Sequence, residues 1–178
     1  MQFETIIAGF GGQGVLFAGK VLAYTALAEG HEVTWLPSYG PEMRGGTANC
    51  TVIFSDEEIG SPQVLYPKAA IAMNQPSLDK FETLINQDGY LLVNTSMVNR
   101  SGTRKDIHIV EIPGTEIAEE IGDKRLANIV LLGGLIQAAK IFPISSVESA
   151  LEKNLEGKKG DLLKKNIDAL RKGATYTV

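Results

Sequence analysis

Cysteine and histidine are scarce in this sequence of 178 residues, which has one cysteine, Cys50, and two histidines. So few thiolates and imidazoles exclude a structural zinc site or an iron–sulfur cluster built by this chain alone. Cys50 cannot form an intramolecular disulfide, which fits a cytoplasmic location. Because Cys50 lies inside a segment rich in β-forming residues, we expect an inert core thiol.

A strong charge excess and a long apolar run are also missing. The 17 Lys and Arg residues against 21 Asp and Glu residues give a net charge of -4, so we expect no nucleic-acid partner. Glycines interrupt the apolar runs of the first 30 residues, which resemble neither a signal peptide nor a membrane span. We therefore expect no membrane partner, and 44% hydrophobic residues are enough for a globular core.

Apolar strands that alternate with helical segments predict an α/β fold. The sequence predicts one domain over residues 1–178, a Rossmann-like three-layer domain with a mainly parallel sheet over about 1–112 and a mostly helical part over about 113–178. Strands are expected at 3–8, 31–36, 47–54, 68–73, 90–94 and 107–112, and helices at 12–29, 76–86, 116–121, 126–142, 145–155 and 158–171.

Two local signals refine the helical part. Ser145 and Glu148 have the Ser-x-x-Glu spacing of a capping box, which predicts a helix start at Ser145. Gly133 and Gly134 form a glycine pair inside an apolar helix, which predicts that a neighbouring element packs closely there.

A first glycine loop follows the first predicted strand and precedes a helix, as G-x-G-x-x-G motifs do in nucleotide-binding folds. Its residues are Gly9, Gly11, Gly12, Gln13 and Gly14. Glycines permit a tight turn, and the helix N-terminus offers free N–H groups to an anion. Two interpretations stay open: the loop contacts an anion or cofactor phosphate, or it lets the helix pack and a partner approach.

The dinucleotide interpretation requires an acidic residue at the end of the second strand, where it would hold the ribose hydroxyls. That strand ends in Leu-Pro-Ser-Tyr over residues 36–39, while Glu29 and Glu32 lie near its start. The sequence therefore argues against NAD binding.

A second loop follows the second strand and would emerge at the same sheet edge if the first two strands are parallel. Its candidate contact residues are Ser38, Tyr39, Glu42, Arg44, Gly45 and Gly46. The planar fork of Arg44 suits a carboxylate or phosphate, although pairing with Glu42 is an equal alternative. The two loops together lack an acid, base or nucleophile set, so we predict no catalytic residue and no metal site in this chain.

These segments resemble the gamma subunit of 2-oxoacid:ferredoxin oxidoreductases, most of all the 2-oxoglutarate type. The resemblance rests on GFGGQGV at 9–15, SYGPEMRGGTANC at 38–50 and AMNQPSLDKF at 72–81, and LANIVLLGGL at 126–135 is similar to a later helix of the family. Three motifs in the same order are far more specific than one glycine loop.

The resemblance implies a non-catalytic subunit of a thiamine-diphosphate-dependent complex that converts a 2-oxoacid, CoA and oxidised ferredoxin to acyl-CoA, CO2 and reduced ferredoxin. It implies that alpha and beta subunits, and in some complexes a delta subunit, bind thiamine diphosphate, Mg and the iron–sulfur clusters. The alternative is a stand-alone nucleotide- or anion-binding Rossmann-like protein. As a subunit that normally lives in a complex, the isolated chain is expected to expose an apolar patch and to form a homodimer.

Overall fold

A computed structural model describes residues 1–39, 46–158 and 160–177. The strands are β1 (Gln2–Phe10), β2 (Glu32–Tyr39), β3 (Thr47–Ser55), β4 (Ala69–Ala72), β5 (Tyr90–Asn94) and β6 (His108–Ile112). The helices are α1 (Val15–Ala28), α2 (Gln75–Phe81), α3 (Gly114–Ile121), α4 (Ala127–Ala139), α5 (Ile144–Asn154) and α6 (Gly160–Tyr176), with short 3-10 turns at Glu82–Leu84, Thr95–Met97 and Lys124–Leu126.

All six strands form one sheet in the order β2-β3-β1-β4-β5-β6. The strands β1, β4, β5 and β6 pair in parallel, whereas β3 is antiparallel to both β1 and β2. Since two antiparallel steps restore direction, β2 runs parallel to β1. This mixed but mainly parallel α/β sheet confirms the predicted fold class.

Helices cover the two faces of the sheet unequally. On one face, α1 packs on β1–β3 and α4 packs on β4–β6, while α5 and α6 form an outer layer against these two helices. On the other face, α2 and its neighbouring turn cover a smaller cluster that includes Ile6, Leu78 and Leu91. The helical C-terminal part therefore covers one face of the sheet.

Glycines bring α4 and α6 into backbone contact. A Cβ atom on Gly133 would overlap the carbonyl oxygen of Leu170, and one on Gly173 would overlap that of Val130. The close neighbour predicted from the glycine pair is therefore α6, and the crossing depends on glycine from both helices.

Two local predictions were wrong. The strand β2 continues to Tyr39, so Ser38 and Tyr39 belong to the strand and not to the loop. Pro37 does not end the strand, because β2 is an edge strand where a missing N–H is tolerated. The capping box is absent, since α5 begins at Ile144 after Pro143 and Ser145 already lies inside the helix.

No helix in the described part of the chain combines the length and the hydropathy that crossing a membrane requires.

Candidate functional site

The two glycine loops meet at one edge of the sheet. Phe10 and Tyr39, the last residues of β1 and β2, pair with Thr47 and Ala48 at the start of β3. The backbone N–H of Gly11 donates a 2.8 Å hydrogen bond to the carbonyl oxygen of Gly46. The predicted arrangement of the two loops at one edge is thus present. Glu42, Arg44 and Gly45 lie outside the described residues.

A cleft of about 290 Å³ opens between the first glycine loop and the paired ends of β2 and β3. Aromatic rings of Phe10, Phe17 and Tyr39 line it together with the start of α1. The first hydrogen bond of α1 runs from the N–H of Ala18 to the carbonyl oxygen of Gly14, so the amides of residues 15–17 precede the helical ladder. Its described lining residues carry no charged side chain, which makes these amides the groups that could meet an anion. The described residues that line the cleft are Phe10, Gly11, Gly12, Gly14, Val15, Leu16, Phe17, Tyr39, Thr47 and Ala48.

Gln13 is turned inward and fixes the first loop. Its Oε1 accepts a 2.6 Å hydrogen bond from the N–H of Phe10 and a 3.5 Å bond from Nδ2 of Asn74. Its Nε2 donates to the carbonyl oxygen of Met73 at 3.4 Å. Because Oε1 and Nε2 of Gln13 both bond to groups of this chain, the side chain shapes the loop. An external group would therefore contact the backbone of the loop and not this side chain.

The same carbonyl oxygen links the loop to the next strand ends. Nδ2 of Asn94 also donates to Met73, at 3.3 Å, while Oδ1 of Asn94 accepts from the N–H groups of Gly114 and Thr115. Asn94 is fully buried. A chain of carboxamides therefore joins the ends of β1, β4 and β5 to the first turn of α3, and it contains no group that titrates near neutral pH.

Asn128 of α4 fixes the end of the first glycine loop by a hydrogen bond to Gly14. This residue of α4 is 4% exposed, and its Nδ2 donates a 2.8 Å hydrogen bond to the carbonyl oxygen of Gly14. Gly14 has φ 71°, a left-handed conformation that favours glycine. The contact joins residues 114 positions apart. No local pattern in the sequence indicated it, although the LANIV segment was part of the resemblance.

We expect Gly14→Ala and Asn128→Ala to be coupled. An added Cβ on Gly14 would displace the amide of Asn128, so Gly14→Ala should cost about 2–3 kcal/mol from backbone strain and the lost bond. The double variant should cost about 1 kcal/mol less than the sum. Urea unfolding of the four proteins measures this. Gly12→Ala is the control, since Gly12 also has positive φ but faces open space; its cost should add to that of Asn128→Ala. Full additivity at Gly14 would contradict the coupling.

A second, shallower groove of about 280 Å³ lies on the α4 side of the same loop. Gly12 and Gly14 form one wall, and Arg125 and Lys158 contribute positive charge to the other. The guanidinium of Arg125 pairs with Asp123 at 2.7 Å and lowers the pKa of that carboxyl. The glycine loop therefore separates an uncharged aromatic cleft from a groove lined by side chains of both charges, Asp123, Arg125 and Lys158.

Cys50 and the two histidines do not line the cleft. Burial raises the pKa of the Cys50 thiol to about 12, which confirms the predicted inert core thiol. His31 pairs with Asp56 at 3.0 Å near the opposite edge of the sheet, and His108 stacks on Tyr90. In the described parts of the chain, no group of three or more His, Cys, Asp and Glu side chains is arranged to hold a metal ion.

Known proteins are similar to this chain in sequence, and a solved structure is similar to it in fold. The family model "Pyruvate ferredoxin/flavodoxin oxidoreductase" matches residues 4–176. The subunit KorC of 2-oxoglutarate synthase from Methanocaldococcus jannaschii is 36% identical over 97% of this chain and 92% of its own length. The ketoisovalerate oxidoreductase subunit VorA from Methanothermobacter marburgensis is 46% identical over 71% of this chain, which corresponds to 26% of VorA.

A solved structure of a gamma subunit has the same fold as this chain. The gamma subunit of a keto/oxoacid ferredoxin oxidoreductase from Geobacter sulfurreducens superimposes with a TM-score of 0.83 at 26% identity, covering 98% of each chain. This chain spans between 26% and 35% of the length of the two VorA relatives. The nearly full-length family match, together with the two glycine loops at one sheet edge, shows that the chain belongs to the pyruvate ferredoxin/flavodoxin oxidoreductase family.

Proposed function

We propose that this chain is the non-catalytic gamma subunit of a cytoplasmic 2-oxoacid:ferredoxin oxidoreductase that uses thiamine diphosphate. The observation that carries the proposal is the end-to-end match with KorC and with the Geobacter gamma subunit. Its contribution would be a surface for other subunits, since the cleft offers backbone amides and aromatic rings in place of acid–base groups.

The substrate that we propose is 2-oxoglutarate. KorC, a subunit of 2-oxoglutarate synthase, matches this chain over nearly the whole of both sequences. A branched-chain 2-oxoacid is the second candidate, because VorA has the higher identity of 46% over the segment that it shares.

The cofactors of the reaction would lie on partner subunits. One cysteine cannot supply the four thiolates of an iron–sulfur cluster, so we assign the clusters, thiamine diphosphate and Mg to alpha and beta subunits, with a delta subunit as a further carrier. Ferredoxin would meet the complex through those clusters. Within this chain, the described residues fit one part of the chemistry. The backbone amides at the start of α1, beside Phe10 and Phe17, would hold a phosphate of CoA where CoA enters the complex.

Arg44 is proposed to contact an anion or a partner carboxylate. If so, Arg44→Ala should leave the melting temperature of the isolated chain nearly unchanged, since an exposed local ion pair contributes about 0–1 kcal/mol. In the assembled complex, the same change should weaken subunit association or raise KM for CoA or the 2-oxoacid. Arg44→Lys should rescue only in part, because an ammonium cannot make the bidentate contact. Loss of several kcal/mol of stability with unchanged activity of the complex would make Arg44 structural.

The isolated chain should oxidise no 2-oxoacid, even with thiamine diphosphate, Mg, CoA and an electron acceptor, and should form a homodimer. We propose that the glycine loops and the C-terminal helices form the dimer contact. Light scattering together with the assay tests both expectations. A monodisperse monomer would contradict the dimer, and turnover in a preparation free of other subunits would contradict the non-catalytic role.

Thermal melting separates the subunit from a stand-alone nucleotide-binding protein. A ligand at 100 times its Kd adds about 2.7 kcal/mol of stability, so AMP, NAD or NADP should shift the melting temperature if the alternative is right. We expect no shift with these nucleotides. CoA belongs to the proposed complex, and a shift with CoA alone would support the entrance role of the cleft. A shift with NAD or NADP would favour the stand-alone protein.

A further inference from the structure

The hydrogen-bond ladder between β1 and β4 stops at the start of the first glycine loop. The two strands pair in parallel, and their last residues in register are Ala8 and Ala72. Beyond this pair, the N–H of Met73 donates a 2.8 Å hydrogen bond to the carbonyl oxygen of Ala8. The bonds of a parallel ladder are evenly spaced and slanted. The next bond would therefore run from the N–H of Phe10 to the carbonyl oxygen of Met73.

The side-chain amide of Gln13 is inserted between those two groups. Its Oε1 accepts the 2.6 Å hydrogen bond from the N–H of Phe10, and its Nε2 donates to the carbonyl oxygen of Met73 at 3.4 Å. A carboxamide carries an acceptor and a donor side by side, as a peptide group does. The side chain thus takes the place of one ladder step, and the ends of β1 and β4 are held apart by the width of one amide.

Gly9 provides the space for the inserted amide. A Cβ atom on Gly9 would lie 2.6 Å from Oε1 of Gln13 and 2.8 Å from Cβ of Met73. Gly9 is not among the glycines with positive φ, whereas Gly12 and Gly14 are. The first glycine of the G-x-G-x-x-G motif is therefore required by the side chain of Gln13 and not by the backbone conformation of the turn.

Two asparagines fix the inserted amide. Nδ2 of Asn74 lies 3.5 Å from Oε1 of Gln13, so this oxygen has two donors. The carbonyl oxygen of Met73 also has two donors, since Nδ2 of the fully buried Asn94 donates to it at 3.3 Å. Because both contacts of the Gln13 amide are supported by a second side chain, the amide has one defined position.

The position of the amide sets one wall of the cleft. Phe10 is bonded to the amide through its N–H, and Phe10, Gly11 and Gly12 line the cleft. Without the amide, the N–H of Phe10 and the carbonyl oxygen of Met73 would be free to bond directly. That bond would extend the ladder by one step and draw the start of the loop towards β4, away from its neighbour Thr47 at the start of β3.

We infer that Gln13 is a positioning residue for CoA binding, whose inserted amide keeps β1 and β4 apart and so holds the first glycine loop in the conformation that forms the cleft. This inference rests on the proposed function, in which CoA meets this loop. In this role Gln13 contacts no ligand and acts through the backbone of Phe10 and the glycines that follow it.

Gln13→Ala tests the inference, because it removes the amide and allows the ladder to close. A crystal structure of the variant should show a direct hydrogen bond of about 3 Å from the N–H of Phe10 to the carbonyl oxygen of Met73. Since this bond replaces those that are lost, the melting temperature should stay within about 4 °C of the original. In the complex purified from the native host, KM for CoA should rise at least about tenfold with kcat unchanged, as for a loop that adopts its binding conformation about a tenth of the time.

Two further variants separate positioning from a general loss of hydrogen bonds. Gln75→Ala is the matched control, since both ends of the Gln75 amide are bonded as well, to Asp79 and Asn99, and Gln75 does not line the cleft. It should leave KM for CoA unchanged. Gln13→Glu keeps an acceptor for Phe10 and loses the donor, so its KM should lie between those of the original chain and Gln13→Ala.

An unchanged KM for CoA in Gln13→Ala would overturn the inference and leave the proposed function intact. A melting temperature lowered by more than about 10 °C together with an unchanged KM would make Gln13 a structural residue, which also overturns the inference. If the original complex shows no CoA-dependent turnover, the proposed function fails and the role in CoA binding fails with it. The crystal structure would in that case still show whether the amide keeps the two strands apart.

Discussion

Gly173→Ala should destabilise the chain strongly, although alanine is the better helix former by about 1 kcal/mol. Gly173 lies in α6 where its backbone contacts α4, and a Cβ atom there would overlap the carbonyl oxygen of Val130. The added Cβ would meet backbone atoms of Val130, which cannot move aside as a flexible side chain can. The two helices would therefore have to separate. We expect a loss of about 3–5 kcal/mol, which lowers the melting temperature by about 6–20 °C for a chain of this size.

The control for this change is Gly60→Ala, since a Cβ atom on Gly60 meets nothing within 4 Å and its backbone is outside the left-handed region. That variant should unfold within about 0.5 kcal/mol of the original chain. Gly133→Ala should behave like Gly173→Ala, because it would overlap the carbonyl oxygen of Leu170 at the same crossing. A stabilising effect of either alanine would mean that α4 and α6 are farther apart than described.

Glu82→Ala should be the most damaging change away from the crossing of α4 and α6. Glu82 is 3% exposed, and its Oε1 accepts hydrogen bonds from the N–H groups of Thr103 and Arg104. Its Oε2 accepts from Arg100 at 2.8 Å. Removing the carboxylate leaves these partly buried donors without their acceptor and releases the connection between β5 and β6. We expect a cost of about 2–4 kcal/mol, measured by urea unfolding at pH 7.

This contribution should depend on pH with a defined sign. Burial opposes ionisation of Glu82, but the bonds from Thr103, Arg100 and Arg104 outweigh burial and lower its pKa. A carboxyl whose folded pKa is depressed stabilises the fold above its unfolded pKa, and that stability is lost as pH falls through the folded pKa. The difference between the original chain and Glu82→Ala should therefore be constant above about pH 5 and shrink below about pH 4.

Asp106→Asn is the matched control for Glu82. Asp106 pairs with Arg104 at 2.6 Å in the same network, but its side chain is 47% exposed. Solvent screens such a pair, so the control should cost less than about 1 kcal/mol. Equal losses from Asp106→Asn and Glu82→Ala would show that burial of Glu82 does not set its contribution.

The strands were predictable where several residues in a row are apolar. The runs at Ala69–Ala72 and Tyr90–Asn94 are buried central strands, and both were expected from composition alone. The sequence did not reveal that β3 runs antiparallel, because pairing direction depends on where the loop after β2 leads the chain. The end of β2 was misplaced because Pro37 interrupts a central strand but not an edge strand.

The site was predictable at the level of loops and not at the level of contacts. Two glycine-rich segments after parallel strands had to meet at one edge, and Gly11 and Gly46 do so. The inward turn of Gln13 and the bond from Asn128 to Gly14 depend on residues 60 or more positions away. Propensity and spacing carry no information about such contacts, which arise only when the end of β4 and the start of α4 pack beside the first glycine loop.

Purification of the tagged chain from its native host, followed by an assay of the same fraction, tests the central claim most directly. The account predicts that the chain elutes with subunits carrying thiamine diphosphate and iron–sulfur clusters. That fraction should reduce ferredoxin only when CoA and a 2-oxoacid are both present, and fastest with 2-oxoglutarate. Elution of the chain without such subunits, in a fraction with no CoA-dependent reduction of ferredoxin by any 2-oxoacid, would contradict the account.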